Sequence, residues 1–286
     1  DGNIFAYLNN DNHLSPTRDL LKDCISCDVN LMNEPFVKGV YETIRVRSFI
    51  NLKEKANILN KKSVRIMGVL DEYGILENDE VYIAYSPSDG QVDGDRKVVQ
   101  ADKVLVTKNP CLHPGDLRVL KARKDKLTEE YFSHITNCIV FSQKGNRPRT
   151  AEISGSDLDG DLYFASWDPD LIPPKVDKPF KYDQDKPKTW ETEVKMDDIA
   201  DFMIDFMNND ILGRIDNSHL AFADQTEKYA YSEQCMALAE LHATAVDYGK
   251  NGIDPYTKKV QFAKTFPDFM GREDDENTYE SENILG

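Results

Sequence analysis

The sequence feature that most constrains this chain is an acidic stretch interrupted by glycine, Ser-Gly-Ser-Asp-Leu-Asp-Gly-Asp, at residues 154–161. Side chains alternate in direction along an extended segment, so Asp157, Asp159 and Asp161 would lie on one side of it. A turn at Gly160 would bring the three carboxylates closer still. Because carboxylates packed this closely repel one another, at least one of them should stay protonated unless a cation lies between them.

A divalent metal site explains this stretch best, because a bound cation offsets the repulsion among the carboxylates. Ligation by oxygen alone favours Mg²⁺ first and Mn²⁺ next. Two such ions about 3.5–4 Å apart can hold both the attacking and the leaving oxygen of an in-line phosphoryl displacement. The stretch therefore predicts metal-dependent phosphoryl chemistry.

Three other interpretations of the stretch stay open. A calcium loop of the EF-hand type would need glycine at its sixth position, where Leu162 stands. A phosphatase of the haloacid dehalogenase type would use Asp157 as its nucleophile, but that motif normally follows an apolar strand, and here it follows a polar segment. The third interpretation is a solvated acidic turn without function. It would be favoured for a lone Asp-x-Asp, but the third aspartate and the flanking glycines make this interpretation weaker.

The distribution of charge supports a polyphosphate substrate. The net charge of −16, taken alone, argues against nucleic acid, but residues 96–149 carry a net charge of +7 and the remainder −23. This basic segment runs up to the acidic stretch, so cations could hold phosphates beside the anions that hold metal. Two of its loops carry candidate phosphate contacts, Lys108 and His113 in one and Lys144, Arg147 and Arg149 in the other. A chance fluctuation of charge with solvated side chains is the alternative.

Length and composition limit the class of protein. A chain of 286 residues can hold one large or two ordinary domains. It has no apolar run of the roughly 18–20 residues that a membrane helix needs, which predicts no membrane partner. Five scattered cysteines, with one Cys-x-x-Cys pair at residues 24–27, favour ordinary thiols and a reducing intracellular compartment, cytoplasmic or nuclear. Because residue 1 is Asp and not Met, we expect a fragment or a processed product.

The hydrophobic pattern predicts three parts, at residues 1–62, 63–175 and 176–286. The first is loop followed by a helical neck that begins at Pro35 and continues towards Leu59. The second contains at least six short β-rich runs, among them residues 98–106, with few helical signals between them, which predicts a compact barrel or sandwich. The acidic stretch lies in the loop before the last of these runs.

The third part begins with a polar linker at residues 177–188, after which the helical period returns. One helix is predicted over residues 197–207, with a stripe of Phe and Met that we interpret as core. A second helix is predicted from about Ser232 to Val246, and His242 on its apolar face is interpreted as a core histidine more than a ligand. The tail of this part, from Gly271, is acidic.

Several longer motifs, in the same order along the chain, resemble those of the cell-encoded RNA-dependent RNA polymerases of eukaryotic RNA silencing. Residues 68–74 resemble G-x-L-D-E-x-G, residues 108–118 resemble K-N-P-C-L-H-P-G-D-x-R, and residues 154–161 resemble S-G-S-D-x-D-G-D. Residues 247–252 are similar to D-F-x-K-x-G, and residues 279–281 to Y-x-S. The resemblance extends from about Glu34 to the end of the chain.

This resemblance implies an α+β fold in which a double-psi β-barrel carries the catalytic Asp loop and helices flank it. It implies distant kinship with the large subunit of DNA-dependent RNA polymerases. It also implies template-directed nucleotidyl transfer that makes double-stranded RNA for small interfering RNA production. The matching residues are Asp157, Asp159 and Asp161 for catalytic Mg²⁺ or Mn²⁺, and Lys108, His113 and Arg118 for nucleotide or template contact.

The partners implied are an RNA template, ribonucleoside triphosphates and other silencing proteins. Members of this family have a second barrel upstream in the same polypeptide, which supplies cationic residues to a shared cleft. We therefore expect this chain alone to bind metal and to polymerise poorly. The competing functions are a magnesium-dependent phosphatase and a non-catalytic RNA-binding module in which the acidic loop is structural.

Overall fold

A computed structural model gives the fold of two compact units, one holding residues 1–59, 86–95 and 284–286 and the other residues 60–85 and 96–283. The residues described are 19–20, 23–24, 27, 35–55, 58, 60–86, 96–182, 189, 191–208, 211–255, 259–272 and 275–283. In the first unit, helix α1 spans Pro35–Lys55. The predicted start of this helix at Pro35 is confirmed, and the helix ends before Leu59.

A closed β-barrel is the base of the second unit. Its strands are β1 (Ser63–Leu70), β2 (Glu80–Tyr85), β3 (Lys97–Val98), β4 (Ala101–Lys108), β5 (Arg118–Ala122), β6 (Cys138–Phe141) and β7 (Leu162–Ser166). The strand order is β3-β2-β5-β4-β7-β1-β6, and a further pairing of β2 with β6 closes six strands into a ring, with β3 outside it. The β1–β6 and β2–β5 pairs are parallel, and the other pairs are antiparallel.

The barrel interior explains why these segments form strands. Branched and aromatic side chains recur at alternate positions and fill a shared core, where each strand contributes one face. The main members of this core are Ile66, Val81, Ile83, Val104, Val106, Leu120, Ile139, Phe141, Tyr163 and Ala165. The prediction of six or more short strands in a compact barrel or sandwich is confirmed, and the closed ring makes the fold a barrel.

Two local features of the barrel differ from the prediction. The β-rich run at residues 98–106 is divided, because β3 pairs with β2 whereas β4 pairs with β5 through a register shift between Ala101 and Val104. A short helix, α2 (Lys126–Phe132), precedes β6, and its N-cap is Asp125, which accepts a hydrogen bond from Thr128 N–H. The sequence shows this cap only as an Asp three residues before a Thr, which is a weak signal by itself.

The turn after β1 is organised by Asp71, which is fully buried. Its Oδ1 accepts hydrogen bonds from the N–H groups of Tyr73 and Gly74, at 3.1 and 2.9 Å. Its Oδ2 accepts one from Leu76 N–H at 2.8 Å. One carboxylate thus satisfies three backbone donors in a turn that lies against the barrel core.

Replacing Asp71 with alanine is expected to lower the free energy of unfolding by about 3 kcal/mol, because buried N–H groups lose a charged acceptor. Urea denaturation followed by circular dichroism measures this loss. The matched control is Glu72→Ala at the exposed neighbouring position, which should change stability by less than about 0.5 kcal/mol. Equal effects of the two substitutions would contradict this account of the turn.

Helices follow the barrel within the same unit. They are α3 (Met196–Asn208), α4 (Leu212–Gln225), α5 (Glu233–Val246) and the single-turn α6 (Tyr248–Asn251), and a two-stranded sheet of β8 (Phe266–Pro267) and β9 (Thr278–Tyr279) comes after them. The predicted helix from Ser232 is confirmed, with Ser232 as its N-cap. Helix α4, which was not predicted, packs on α5 through a core that includes Ile215, Leu238 and Leu241.

The apolar stripe of α3 differs from its interpretation as core. Phe202 is 36% exposed and Met207 is 73% exposed. Phe206 stacks on Tyr248 with a ring-centroid separation of 5.9 Å, and Phe202 also contacts Tyr248. The core interpretation is wrong for the described residues, because one aromatic ring of α6 covers only part of a stripe that runs along the whole helix.

The described part of the acidic tail is held against α4. Tyr279 OH and Ser281 Oγ each donate a hydrogen bond to the carboxylate of Asp224, at 2.9 and 2.8 Å. Asn283 also donates to that carboxylate, at 2.7 Å. The Tyr-x-Ser motif noted in the sequence therefore anchors the tail to one aspartate.

The division of the chain into three parts, with boundaries at residues 62 and 175, stays a prediction. Within the described ranges, every helix is too short or too polar to span a membrane.

Candidate active site

The acidic loop curls through several backbone positions in the left-handed region. The φ angles are 49° at Ser154, 62° at Gly155, 68° at Leu158 and 122° at Gly160. In this conformation Ser154 and Leu158, which carry a Cβ, are each strained by about 1–3 kcal/mol, and the surrounding contacts must offset this strain. In the resulting loop, one carboxylate oxygen from each of Asp157, Asp159 and Asp161 lies within 4.8 Å of the other two.

Lys108 forms an ion pair with the last of these aspartates. Its Nζ lies 2.6 Å from Asp161 Oδ1. The antiparallel register of β4 and β7 places Lys108 opposite Tyr163, close to the point where the loop enters β7. The backbone of Asp161 is fixed as well, because its carbonyl accepts a hydrogen bond from Gly68 N–H of β1 at 3.1 Å. The barrel therefore sets the positions of this carboxylate and its cation together.

Buried hydroxyl groups on the barrel side of the acidic loop stabilise it. Tyr163 is fully buried, and its OH donates to Ser156 Oγ at 2.6 Å. Ser156 in turn donates to the carbonyl of Thr150 at 2.7 Å. Burial raises the pKa of Tyr163, and the carboxylates of the loop raise it further, so the phenol stays protonated and remains a donor. Leu158 packs against the barrel core between the two exposed aspartates, which points them outward.

Asp116 supports the start of the loop. It is 1% exposed, and Tyr182 OH lies 2.6 Å from both of its carboxylate oxygens. Ser154 Oγ lies 3.2 Å from Asp116 Oδ2 and 3.0 Å from the carbonyl of Pro110. A Cβ on Gly155 would lie 3.0 Å from Tyr182 Cγ, so this position requires a residue without a side chain as well as a left-handed backbone.

Tyr182 lies in the polar segment for which the sequence predicts a linker. Tyr182 contacts Asp116, and Phe180 packs on His113 with ring centroids 4.8 Å apart. The linker prediction is wrong for residues 177–182, because their aromatic side chains are anchored under the acidic loop. Residues 183–188 lie outside the described part of the chain. The aromatic residues within a polar stretch were the signal that sequence reasoning could have used.

The acidic loop opens onto a cavity of about 780 Å³. The cavity is lined by the three aspartates and Lys108, and also by residues of α5 and α6 that include His242 and Lys250. Small-molecule sites usually have volumes of roughly 300–1,000 Å³. Carboxylates that face groups able to carry positive charge suit a ligand that combines a metal ion with phosphate.

The donor set fits a hard divalent cation. The cluster offers carboxylate oxygen alone, two of its residues are exposed, and Lys108 offsets one of its three negative charges. Mg²⁺ usually keeps several waters and binds one or two carboxylates, which matches an open site of this kind. The residues that would hold a metal ion are therefore Asp157, Asp159 and Asp161, the same three that the sequence predicted.

Two of the predicted nucleotide contacts lie within the scaffold behind the loop. His113 Nδ1 accepts a hydrogen bond from Gly115 N–H at 2.9 Å, and burial lowers the pKa of His113. Arg118 is 7% exposed, donates to the carbonyl of Asp177 at 3.0 Å and lies 3.6 Å from Glu152. Neither His113 nor Arg118 belongs to the described residues that line the cavity. Their role in contacting nucleotide or template stays a prediction.

The other three predicted contacts are engaged on the barrel surface. The ion pairs are Lys144–Glu77 at 2.7 Å, Arg149–Asp79 at 2.7 Å and Arg149–Glu152 at 2.6 Å, and Arg147 donates to the Ala151 carbonyl at 2.7 Å. In the described part of the chain these cations are absent from the cavity lining, although Pro148 and Thr150 beside them contribute to it. Lys108, one of the six predicted phosphate contacts, thus lies beside the aspartates. The other five contact other parts of the barrel unit.

Comparisons with known proteins bear on the identity of this site. The family model described as RNA dependent RNA polymerase matches residues 2–286. A rice protein (Oryza sativa subsp. japonica) named Probable RNA-dependent RNA polymerase 1 is 38% identical over 266 residues, which cover 93% of this chain and 35% of that protein. RNA-dependent RNA polymerase 6 of Arabidopsis thaliana is 41% identical over 270 residues, which cover 88% of this chain and 22% of that protein.

The chain thus spans between about a fifth and a third of the length of the curated relatives it matches. Among solved structures, the RNA dependent RNA polymerase QDE-1 from Thielavia terrestris is similar with a TM-score of 0.55 at 21% identity, covering 76% of this chain and 25% of that one. This likeness concerns the fold. Together with the closed ring of six strands, it confirms the predicted fold class, an α+β arrangement in which a double-psi barrel carries the Asp loop.

Proposed function

The chain belongs to the RNA-dependent RNA polymerase family, and from that premise we propose that it is the catalytic portion of an RNA-directed RNA polymerase. The reaction is template-directed transfer of a ribonucleotide to a 3′-hydroxyl with release of pyrophosphate. Its product is double-stranded RNA, which serves RNA silencing as the precursor of small interfering RNA.

One observation carries this proposal: three carboxylates within 4.8 Å of one another face a cavity of about 780 Å³ beside a lysine. A cluster of this kind repels itself in the absence of cations, so it is suited to hold them. The ion we propose is Mg²⁺, with Mn²⁺ as a substitute, because the donors are all oxygen. When bound, such an ion polarises phosphoryl oxygens and stabilises charge that develops during displacement.

The residues of the chain have distinct roles in this proposal. Asp157 and Asp159, which are exposed, hold the metal from the loop, and Asp161 holds it from the edge of β7. Lys108, paired with Asp161, fixes the orientation of that carboxylate and adds positive charge beside incoming phosphate. Tyr163 and Tyr182 keep the loop in its left-handed conformation by the hydroxyl contacts beneath it.

The remaining basic residues support the same reaction less directly. We propose that His113 and Arg118 hold the loop that follows Lys108, because His113 accepts a hydrogen bond from Gly115 N–H within that loop and Arg118 donates to the carbonyl of Asp177. Lys144, Arg147 and Arg149 remain candidates for template contact on the barrel surface. The further partners we propose are an upstream barrel of the same polypeptide and other silencing proteins.

The direct test is template-directed incorporation of labelled ribonucleotides by the full-length protein. Incorporation is expected to require template and all four ribonucleotides, and to fall by at least about a hundredfold on chelation of divalent metal. Readdition of Mg²⁺ or Mn²⁺ should restore it. Incorporation that persists after chelation, or that ignores the template sequence, would contradict the proposal.

The same assay separates the alternatives. A phosphatase that uses Asp157 would hydrolyse small phosphomonoesters without template and form an aspartyl phosphate. Asp157 follows a 3₁₀ turn (Thr150–Glu152) and a loop, and not the apolar strand that such a nucleophile normally follows. A non-catalytic RNA-binding module would bind RNA in a salt-dependent way and be indifferent to metal removal.

A further inference from the structure

Part of the cavity lining comes from a helical face of α5 and α6. Residues at positions 239, 242, 243, 246, 247 and 250 line the cavity, and these positions recur with the helical period across α5 and α6. Two of them, Ala239 and Ala243, are small and leave room in front of the helix. His242 and Lys250 are the members of this face that can carry positive charge.

His242 has an acidic partner on the neighbouring helix. Its Nε2 lies 3.4 Å from Oδ1 of Asp216 on α4, and its side chain is 16% exposed. Asp216 Oδ1 is buried and accepts no hydrogen bond from any residue that the structure describes. The pair is therefore close enough for electrostatic attraction, although the atoms are not aligned as a hydrogen bond in this conformation.

Packing alone does not account for this arrangement. An interior position between two helices would normally hold an apolar side chain, and His219, on α4, illustrates a buried histidine whose ring contacts a backbone carbonyl, that of Leu112, at 2.8 Å. His242 instead lies beside the buried Oδ1 of a partly exposed carboxylate, that of Asp216, and also lines the cavity. This combination is typical of an imidazole that is oriented by an acid and directed at a ligand.

We propose that His242, positioned by Asp216, contacts the phosphate chain of the ribonucleoside triphosphate and of the pyrophosphate that leaves. This inference rests on the proposed function, because it assigns the polyphosphate to the cavity that the aspartates face. Oxygens of the polyphosphate that are turned away from the acidic loop would face α5. If Nε2–H turns to donate to Asp216, only the charged imidazole has a second N–H to donate to phosphate.

The charge of His242 depends on several groups around it. Burial lowers its pKa, Asp216 and Asp116 act in the opposite direction, and Lys108 lowers it further. His219 lies behind it on α4, and Asp247 and Lys250 share its helical face. A polyanion in the cavity favours the charged form, so binding is expected to draw a proton onto the imidazole. Binding should therefore weaken as the pH rises.

The test compares the full-length wild-type protein with His242→Gln, which keeps a polar side chain but cannot be charged. The KM for ribonucleotides is expected to rise by about 10- to 100-fold in the variant, the range for loss of one hydrogen bond to a charged group. Calorimetric titration with inorganic pyrophosphate and Mg²⁺, in buffers of different ionisation enthalpy, measures proton uptake. The wild type is expected to take up a proton that the variant does not.

Two further variants make the result specific. His134→Gln replaces an exposed histidine outside the cavity lining and should leave the KM and the proton uptake unchanged. Asp216→Asn keeps the shape of the partner side chain but removes its negative charge. In the wild type, that charge stabilises the charged form of the imidazole. The rise of KM with pH should therefore begin at a lower pH in this variant than in the wild type.

An unchanged KM and unchanged proton uptake in His242→Gln would overturn the inference. The His242–Asp216 pair would then only link helices α5 and α4. A wild-type protein without template-directed incorporation would instead contradict the proposed function itself, so the two failures are distinguishable. If His242→Gln unfolds, the pH dependence of pyrophosphate binding in Asp216→Asn still decides the matter, because a purely structural pair would not shift it.

Discussion

Asp161→Ala is expected to reduce template-directed nucleotide incorporation by at least about a thousandfold, the upper range for removal of one preorganised electrostatic group at a transition state. Asp161 is the aspartate at which the loop meets the barrel, and it is the one whose carboxylate is paired with Lys108. Without it, the cluster loses one of its three carboxylates, and the lysine loses the partner that fixes its position. Metal affinity and the placement of positive charge should therefore fail together.

The measurement has two readouts in the full-length protein, incorporation of labelled ribonucleotides and binding of Mn²⁺ followed by electron paramagnetic resonance. The backbone contact of Asp161 with Gly68 does not use the side chain, so the variant should keep the barrel intact. Asp161→Asn provides a second variant of nearly the same shape. The matched control is Asp102→Ala, an exposed aspartate of β4 outside the cavity lining, which should keep both activity and Mn²⁺ binding. Retained incorporation in both Asp161 variants would refute the assignment.

Gly68→Ala is expected to be the most damaging of the conservative substitutions in the barrel. A Cβ at this position would overlap the ring of buried Tyr163 and would lie 2.7 Å from Cδ2 of Leu158. Overpacking of a core usually costs about 1–3 kcal/mol. Leu158, between the two exposed aspartates, packs against the barrel core, and Gly68 N–H donates to the Asp161 carbonyl. The strain should therefore also displace the acidic loop and reduce incorporation by about a hundredfold.

Urea denaturation measures the loss of stability, and the incorporation assay measures displacement of the loop. Gly213→Ala is the control, because a Cβ on that residue of α4 would meet no atom within 4 Å, and alanine favours a helix over glycine by up to about 1 kcal/mol. We expect the control to keep full activity at equal or greater stability. A Gly68→Ala protein with wild-type stability and activity would show that the barrel accommodates the extra methyl without moving the loop.

Much of the fold follows from local chemistry that the sequence displays. The short strands of the barrel alternate in hydrophobicity, so their number and approximate bounds could be predicted. Ser232 caps α5 and Pro35 begins α1, as their residue types indicate. Helix α4 was missed, because its apolar positions are fewer and no strong cap marks its start at Leu212. The stripe of α3 was misjudged, since a periodic pattern shows which side chains share a face but not what covers that face.

The sequence by itself determined the family motifs in order, the three aspartates and the preference for an oxygen-ligated cation, because these depend on residue type and close spacing. Only the tertiary structure decided that Lys108 would meet Asp161, which follows from the register of β4 with β7. The same holds for Gly68 beneath the loop and for His242 across the cavity. These groups are distant in the chain, and strand pairing and helix packing bring them together without leaving a local signal in the sequence.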